Sequence, residues 1–222
     1  MASISITTID FLIELSVNNN RAWFEAHKEE YTAARENVIE LTADIIKRLS
    51  LIDSSVADLE PSKCLFRIYR DVRFSKDKSP YKNHFGVQLG DMKKNPRRSA
   101  YYIHITPEYS FLAGGMYNPD TAMLAAFRNK ISRDAVEFLQ IINEPTFQEY
   151  FTVSGEKLVN IPKTFSKDDP MADYLKYKEF TLIHHISDKQ LEAKNSAAYC
   201  AKIFESLHPF NEFIDSIAAE IK

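Results

Sequence analysis

Apolar positions change their spacing along the chain, and the changes mark out its elements. Near the N-terminus, Phe11, Leu12 and Leu15 suggest a short helix that starts at Thr8 or Asp10 and ends at Asn18-Asn19-Asn20, since asparagine favours turns and caps. Phe24, Tyr31, Val38 and Ile45 then recur every seventh position, accompanied by His27, Ala34 and Leu41. That stripe predicts one long amphipathic helix ending near Leu49 to Leu51. In the middle of the chain the period becomes two. Cys64 to Tyr69, His84 to Leu89 and Tyr101 to Thr106 alternate between two faces, and an apolar run from Tyr109 to Met116 follows a short Thr106-Pro107-Glu108 turn. Short connections make neighbouring strands antiparallel. Gly114-Gly115 points to a bulge or a close backbone approach.

Helical spacing returns after Asn118-Pro119-Asp120 and again from about Ser132, through Val136, Leu139 and Ile142. Val153 to Asp173 reads as loop, Phe180 to Ile186 as a late strand, and two closing helices are expected on either side of Pro209. The order helices, strands, helices, strand, helices predicts an α+β fold. We expect a mainly antiparallel sheet of about five strands, covered by N- and C-terminal helices, in a single domain over residues 1–222.

Composition narrows the function. The 222 residues include only five glycines, against a usual ~7%. There is no G-x-G-x-x-G, G-x-x-x-x-G-K-[ST] or G-x-S-x-G, so dinucleotide binding, P-loop chemistry and the serine-hydrolase elbow lose their support. The longest uninterrupted apolar run is Ala122 to Phe127, far short of the ~20 residues that span a bilayer. The first basic residue is Arg21, unlike the charged start of a signal peptide. Cys64 and Cys200 stand alone, in apolar company, and read as buried free thiols rather than a disulfide or a zinc site. A cytoplasmic protein with no membrane association is expected.

Charge is unevenly spread. Residues 63–98 carry eleven basic and three acidic side chains, a net +8, which leaves −11 elsewhere in a chain of formal charge −3. Either an anionic ligand or ion pairing with the surrounding acidic helices explains such an island. Its densest part runs from Arg67 to Lys82. Arg67, Arg70 and Arg73 share a face if the chain turns tightly there; if it is extended, Arg70 faces away from the other two. Guanidinium forks bind phosphate or carboxylate bidentately, so Arg67, Arg70, Arg73 and Lys78 are the candidate anion clamp. His84 and His104 fall on the polar side of their strands with Gln88 and Tyr102. His84, His104 and Tyr102 are therefore the candidates for acid/base chemistry, with ordinary sheet hydrogen bonding as the alternative. No carboxylate stands at a spacing that would complete a metal site, and nothing indicates a cofactor or an oligomeric state. Two functional readings follow. One is a small-molecule anion or phosphate-ester site, with or without catalysis. The other is a non-catalytic nucleic-acid or protein-binding surface. The sequence pI of about 6.1 argues against nucleic acid.

Three stretches carry a family resemblance. They are Asn18-Asn19-Asn20-Arg21-x-Trp23-Phe24, the run Phe66-Arg67-Ile68-Tyr69-Arg70-Asp71-Val72-Arg73-Phe74-Ser75-Lys76-Asp77-Lys78-x-Pro80-Tyr81-Lys82, and Tyr101-Tyr102-x-His104-Ile105 with Phe111 to Pro119. Together they resemble the microbial domain-of-unknown-function family numbered 2461 over nearly the whole chain. Ala113 and Tyr117 depart from the glycine and tryptophan that the resemblance implies. It implies one domain and brings no catalytic residue with it.

Overall fold

The computed structural model describes residues 2–90 and 96–221. It is an α+β fold with one four-stranded antiparallel sheet in the order β1-β2-β3-β4, formed by Phe85–Leu89, Tyr101–Ile105, Phe111–Met116 and Phe180–His185. The expected fifth strand, Cys64 to Tyr69, is present only as two isolated antiparallel bridges, Leu65 to Val87 and Tyr69 to Tyr81. Four positions separate Leu65 from Tyr69, whereas six separate Tyr81 from Val87. The two segments therefore slip out of register, and no continuous ladder forms.

The chain divides into two compact units. The first comprises Met1–Leu89, Tyr102–Leu112 and His185–Lys202. It contains α1 (Ile6–Val17), α2 (Arg21–Ala26), α3 (Lys28–Leu49), α4 (Pro61–Cys64) and α8 (Asp188–Glu192). Ser5 caps α1, and its neighbour Asn37 on α3 ties the same turn by accepting from the Ser5 N–H at 2.8 Å. The seven-residue stripe faces the core as its spacing requires: Phe24, Val38 and Ile45 are buried, and Tyr31 is half-buried while stacking on Phe85 at 6.3 Å. The predicted single helix is interrupted at His27, where φ −112° and ψ 25° leave the helical region. The His27 ring stacks on Trp23 at 4.0 Å and its Nδ1 lies 2.8 Å from the Trp23 carbonyl. This local bond competes with the helical ladder.

The second unit comprises Gly90–Tyr101, Ala113–His184 and Ile203–Lys222. It holds α5 (Thr121–Arg133), capped by Asp120, then α6 (Val136–Ile142), α7 (Pro145–Tyr150) and most of α9 (Ser196–Glu220). Its core is aromatic, with Phe127, Phe138, Phe180, Phe210 and Phe213 all buried. Pro209 does not divide the closing helices; it lies inside α9. Proline removes one backbone hydrogen bond, and the buried row Phe204, Leu207, Phe210, Phe213 and Ile214 holds the helix across that gap. Among the described residues, no helix is long and apolar enough to cross a membrane.

Candidate functional site

The candidate residues gather in the first unit, and the three asparagines explain how. Asn18 ends α1, and its side-chain amide donates to the Glu14 carbonyl at 3.1 Å. Asn20 caps α2 by accepting from the Trp23 N–H at 3.0 Å. Asn19, between them, reaches across the unit. Its amide donates to the Tyr81 carbonyl at 2.9 Å and accepts from the Tyr81 N–H at 3.1 Å. This one side chain does what a neighbouring strand would do for Tyr81. Tyr81 is further fixed by stacking on Phe24 at 3.9 Å.

The loop over residues 70–80 is closed mainly by its own charges. The Arg70 N–H donates to the Pro80 carbonyl at 2.9 Å, and its guanidinium donates to the Ser79 carbonyl at 3.2 Å and to the Asp77 carboxylate. Asp77 also accepts from the Ser79 N–H at 2.9 Å and the Ser79 hydroxyl at 2.6 Å. The Ser79 hydroxyl and N–H, followed by Arg70, hold the Asp77 carboxyl down at about 2. Asp71 pairs with Arg73 at 2.7 Å, and Lys78 donates to the Val72 carbonyl at 3.0 Å.

A cavity of about 390 Å³ lies against this loop, lined by Asn19, Arg70, Asp77, Ser79, Lys82 and His84, among others. Lys82 is half-buried, with its ammonium 5.4 Å from the centre of the Phe66 ring. Burial pushes its pKa down, and the charge of Arg67 adds to the effect. Among the described residues, no carboxylate forms an ion pair with Lys82 or Arg67.

His84 also begins a row of rings on one face of the sheet. It stacks on His104 at 4.2 Å, and His104 stacks on Phe111 at 4.6 Å with only 8° between the planes. The Tyr102 hydroxyl sits 3.0 Å from His104 Nδ1. Alternation along the strands puts these side chains opposite the buried Phe85, Val87, Ile103 and Ile105. Gly86 makes room for them: a Cβ there would lie 2.8 Å from the Tyr102 hydroxyl and 3.0 Å from the Phe66 ring. Burial pushes the His84 imidazole down to about 4, with smaller contributions from His104 and Lys82, and burial also lowers His104. Burial thus favours the neutral form of both rings, and His84, at about 4, is neutral at pH 7. A ring with so low a pKa is a weak base there, and it serves better as a neutral hydrogen-bonding partner.

This depression has a measurable consequence. Between the ordinary histidine value of 6.5 and about 4, the unfolded chain binds more protons than the folded one. Stability is therefore complete above pH 6.5 and declines as the pH falls. Urea unfolding at pH 7.5, 6 and 5, where exposed carboxylates stay ionised, should show a loss of about 1–2 kcal/mol after allowing for solvent screening of half-buried rings. His84→Gln should lose clearly less over the same range. A wild-type profile that is flat from pH 7.5 to 5 would mean that the rings are solvated.

The structure does not bring the four proposed clamp residues to one point. Arg70 is 27% exposed and lines the cavity, whereas Arg73 is 77% exposed on its pair with Asp71. Arg67 is exposed beside Lys82, and Lys78 turns to the Val72 carbonyl. Residues 65–70 form no continuous strand and bend at Ile68, and Arg67, unlike Arg70, is not among the residues that line the cavity. Much of the basic island is neutralised by ion pairs: Lys63 with Glu60, Arg97 with Asp120, and Arg98 with Asp215. Lys93 and Lys94 lie outside the described residues. His84, His104 and Tyr102 do come together. Lys82 and Asn19 are the site residues that the sequence reading passed over, although both stand inside quoted motifs. Among the described residues, no group of three His, Cys, Asp or Glu could hold a metal ion.

The family model described as Conserved hypothetical protein (DUF2461) matches residues 7–213, nearly the whole chain. Comparisons with curated proteins and with solved structures find no match. The chain belongs to the DUF2461 family.

Proposed function

We propose that this member of the DUF2461 family binds a small anion, such as a phosphate ester or carboxylate, in the cavity that Arg70, Lys82 and His84 line. The supporting observation is Lys82, a half-buried ammonium with Arg67 as a like-charged neighbour and no described carboxylate in ion-pair range. Withdrawing a charge from water without a partner is costly, and an anion in the cavity offsets that cost. Arg70 brings a guanidinium whose direction Asp77 and Ser79 already fix, which lowers the entropy lost on binding. His84, being neutral, offers a ring nitrogen without adding charge. Of the four residues first considered for the clamp, Arg70 lines this cavity, and Arg67 enters only as the like-charged neighbour of Lys82. Arg73 and Lys78 leave it because other groups already hold them.

The test is thermal unfolding in phosphate against chloride at constant ionic strength. With phosphate tenfold above its Kd, binding stabilises by about 1.4 kcal/mol, roughly 3–6 °C in Tm for a chain of this size. Lys82→Met keeps the aliphatic stem and should abolish the shift, while Arg73→Ala should retain it. Equal shifts in wild type and Lys82→Met would be a general salt effect and would refute the reading.

A further inference from the structure

A second cavity, of about 320 Å³, has Arg70 and Tyr81 in common with the first. Its other walls are chemically different. They come from Tyr69, Val72 and Pro80, together with the exposed Arg21 and Glu25 of α2. The first cavity offers charge and hydrogen-bonding groups; the second offers rings and aliphatic surface. The two volumes lie in the range of ordinary small-molecule sites.

Three features suit the second cavity to a planar ring. Tyr81 cannot swing away, because Phe24 stacks on it and Asn19 grips its main chain. Tyr69 stands 5.3 Å from Tyr81 at 48°, yet 52% of it is exposed. An aromatic side chain backed by a fixed neighbour and bare on its other side gives up water readily when a second ring arrives. Arg70 contributes a guanidinium oriented by Asp77 and Ser79, and such a plane both stacks on aromatic faces and attracts anions. Arg70 therefore faces both cavities.

We infer that the ligand is an anion carrying an aromatic ring, its charged group in the first cavity with Arg70 and Lys82 and its ring in the second against Tyr69, Val72 and Pro80. This rests on the anion-binding reading of the first cavity. Charge complementarity selects this occupant over a neutral aromatic compound, since Lys82 has no described carboxylate as a counter-charge. The ring selects it over a simple oxyanion, since phosphate alone leaves Tyr69 uncovered.

Calorimetric titration with inorganic phosphate, glycerol 3-phosphate and phenyl phosphate separates these possibilities. Phenyl phosphate should bind wild type about tenfold more tightly than either of the others, a difference of about 1.4 kcal/mol, within the range for stacking one ring on an aromatic side chain. Tyr69→Ala should remove that preference and leave the affinity for inorganic phosphate unchanged, which also shows that the variant is folded. Tyr69→Phe should retain the preference. Val72→Glu, which places bulk and negative charge in the second cavity, should weaken phenyl phosphate alone. If wild type binds all three probes equally, or if Tyr69→Ala and Val72→Glu both keep the preference, the aromatic subsite is refuted and the anion site stands. If none of the three binds, both readings fall.

Discussion

Gly115→Ala is expected to destabilise the protein by about 3–5 kcal/mol, combining backbone strain with overpacking. Gly115 sits in β3 with φ +90°, a conformation that side chains disfavour. A Cβ built there lies 2.3 Å from the Phe180 carbonyl oxygen and 3.3 Å from the Phe210 ring. The carbonyl is main chain in β4, so relief requires the two strands to part, not a rotamer to change. The Gly115 N–H also donates to the Asn211 side chain at 2.9 Å, and a displaced strand loses that bond. Gly114→Ala provides the contrast. Its closest clash is with the Leu207 Cδ2, a flexible side-chain end, at 2.4 Å, and it should cost less. Urea unfolding of both variants decides the matter; a smaller loss at position 115 than at 114 would contradict the close backbone approach.

Phe127→Ala should cost about 3–5 kcal/mol, the range for removing a fully buried phenylalanine. Phe127 is 0% exposed and lies 4.3 Å from Phe180, 5.6 Å from Phe213 and 5.9 Å from Phe138, centre to centre. Its neighbours are themselves large rings held by one another, so the cavity collapses poorly. Phe127→Leu, which keeps much of the volume, should cost about half as much. Phe74→Ala, at 95% exposure, should stay within about 0.5 kcal/mol of wild type. Equal losses at positions 127 and 74, by the same urea measurement, would overturn this account of the core.

These contrasts show what periodicity reports. Buried positions repeat because elements repeat, so Phe24, Val38 and Ile45, or Val87 and Ile103, could be placed from spacing alone. Spacing is silent about register between segments, and the 64–69 strand dissolves into two bridges for that reason. It is also silent about local competition, as at His27, and about tertiary support, which carries α9 through Pro209. The site was harder to read for a related cause. Three arginines at i, i+3 and i+6 share a face only in a tight regular turn; here the chain is irregular, and Asp71 and Asp77 take up two of them. The family stretches contain Asn19 and Lys82; Asn19 escapes a reading by spacing because its partner, Tyr81, lies 62 positions away.

Asn19 shows how much can hang on a single atom. Its amide holds the Tyr81 main chain across 62 positions, and it also forms part of the cavity wall. Exchanging its Nδ2 for oxygen, as in aspartate, would alter two properties together. The Tyr81 carbonyl would lose its donor, and a negative charge would enter a cavity that Arg70 and Lys82 also line. Glutamine keeps donor and acceptor but holds them one methylene too far out, and serine reaches with a single group. Mutation at this position therefore changes two things at once: the support of the Tyr81 main chain, and the charge and shape of the cavity wall.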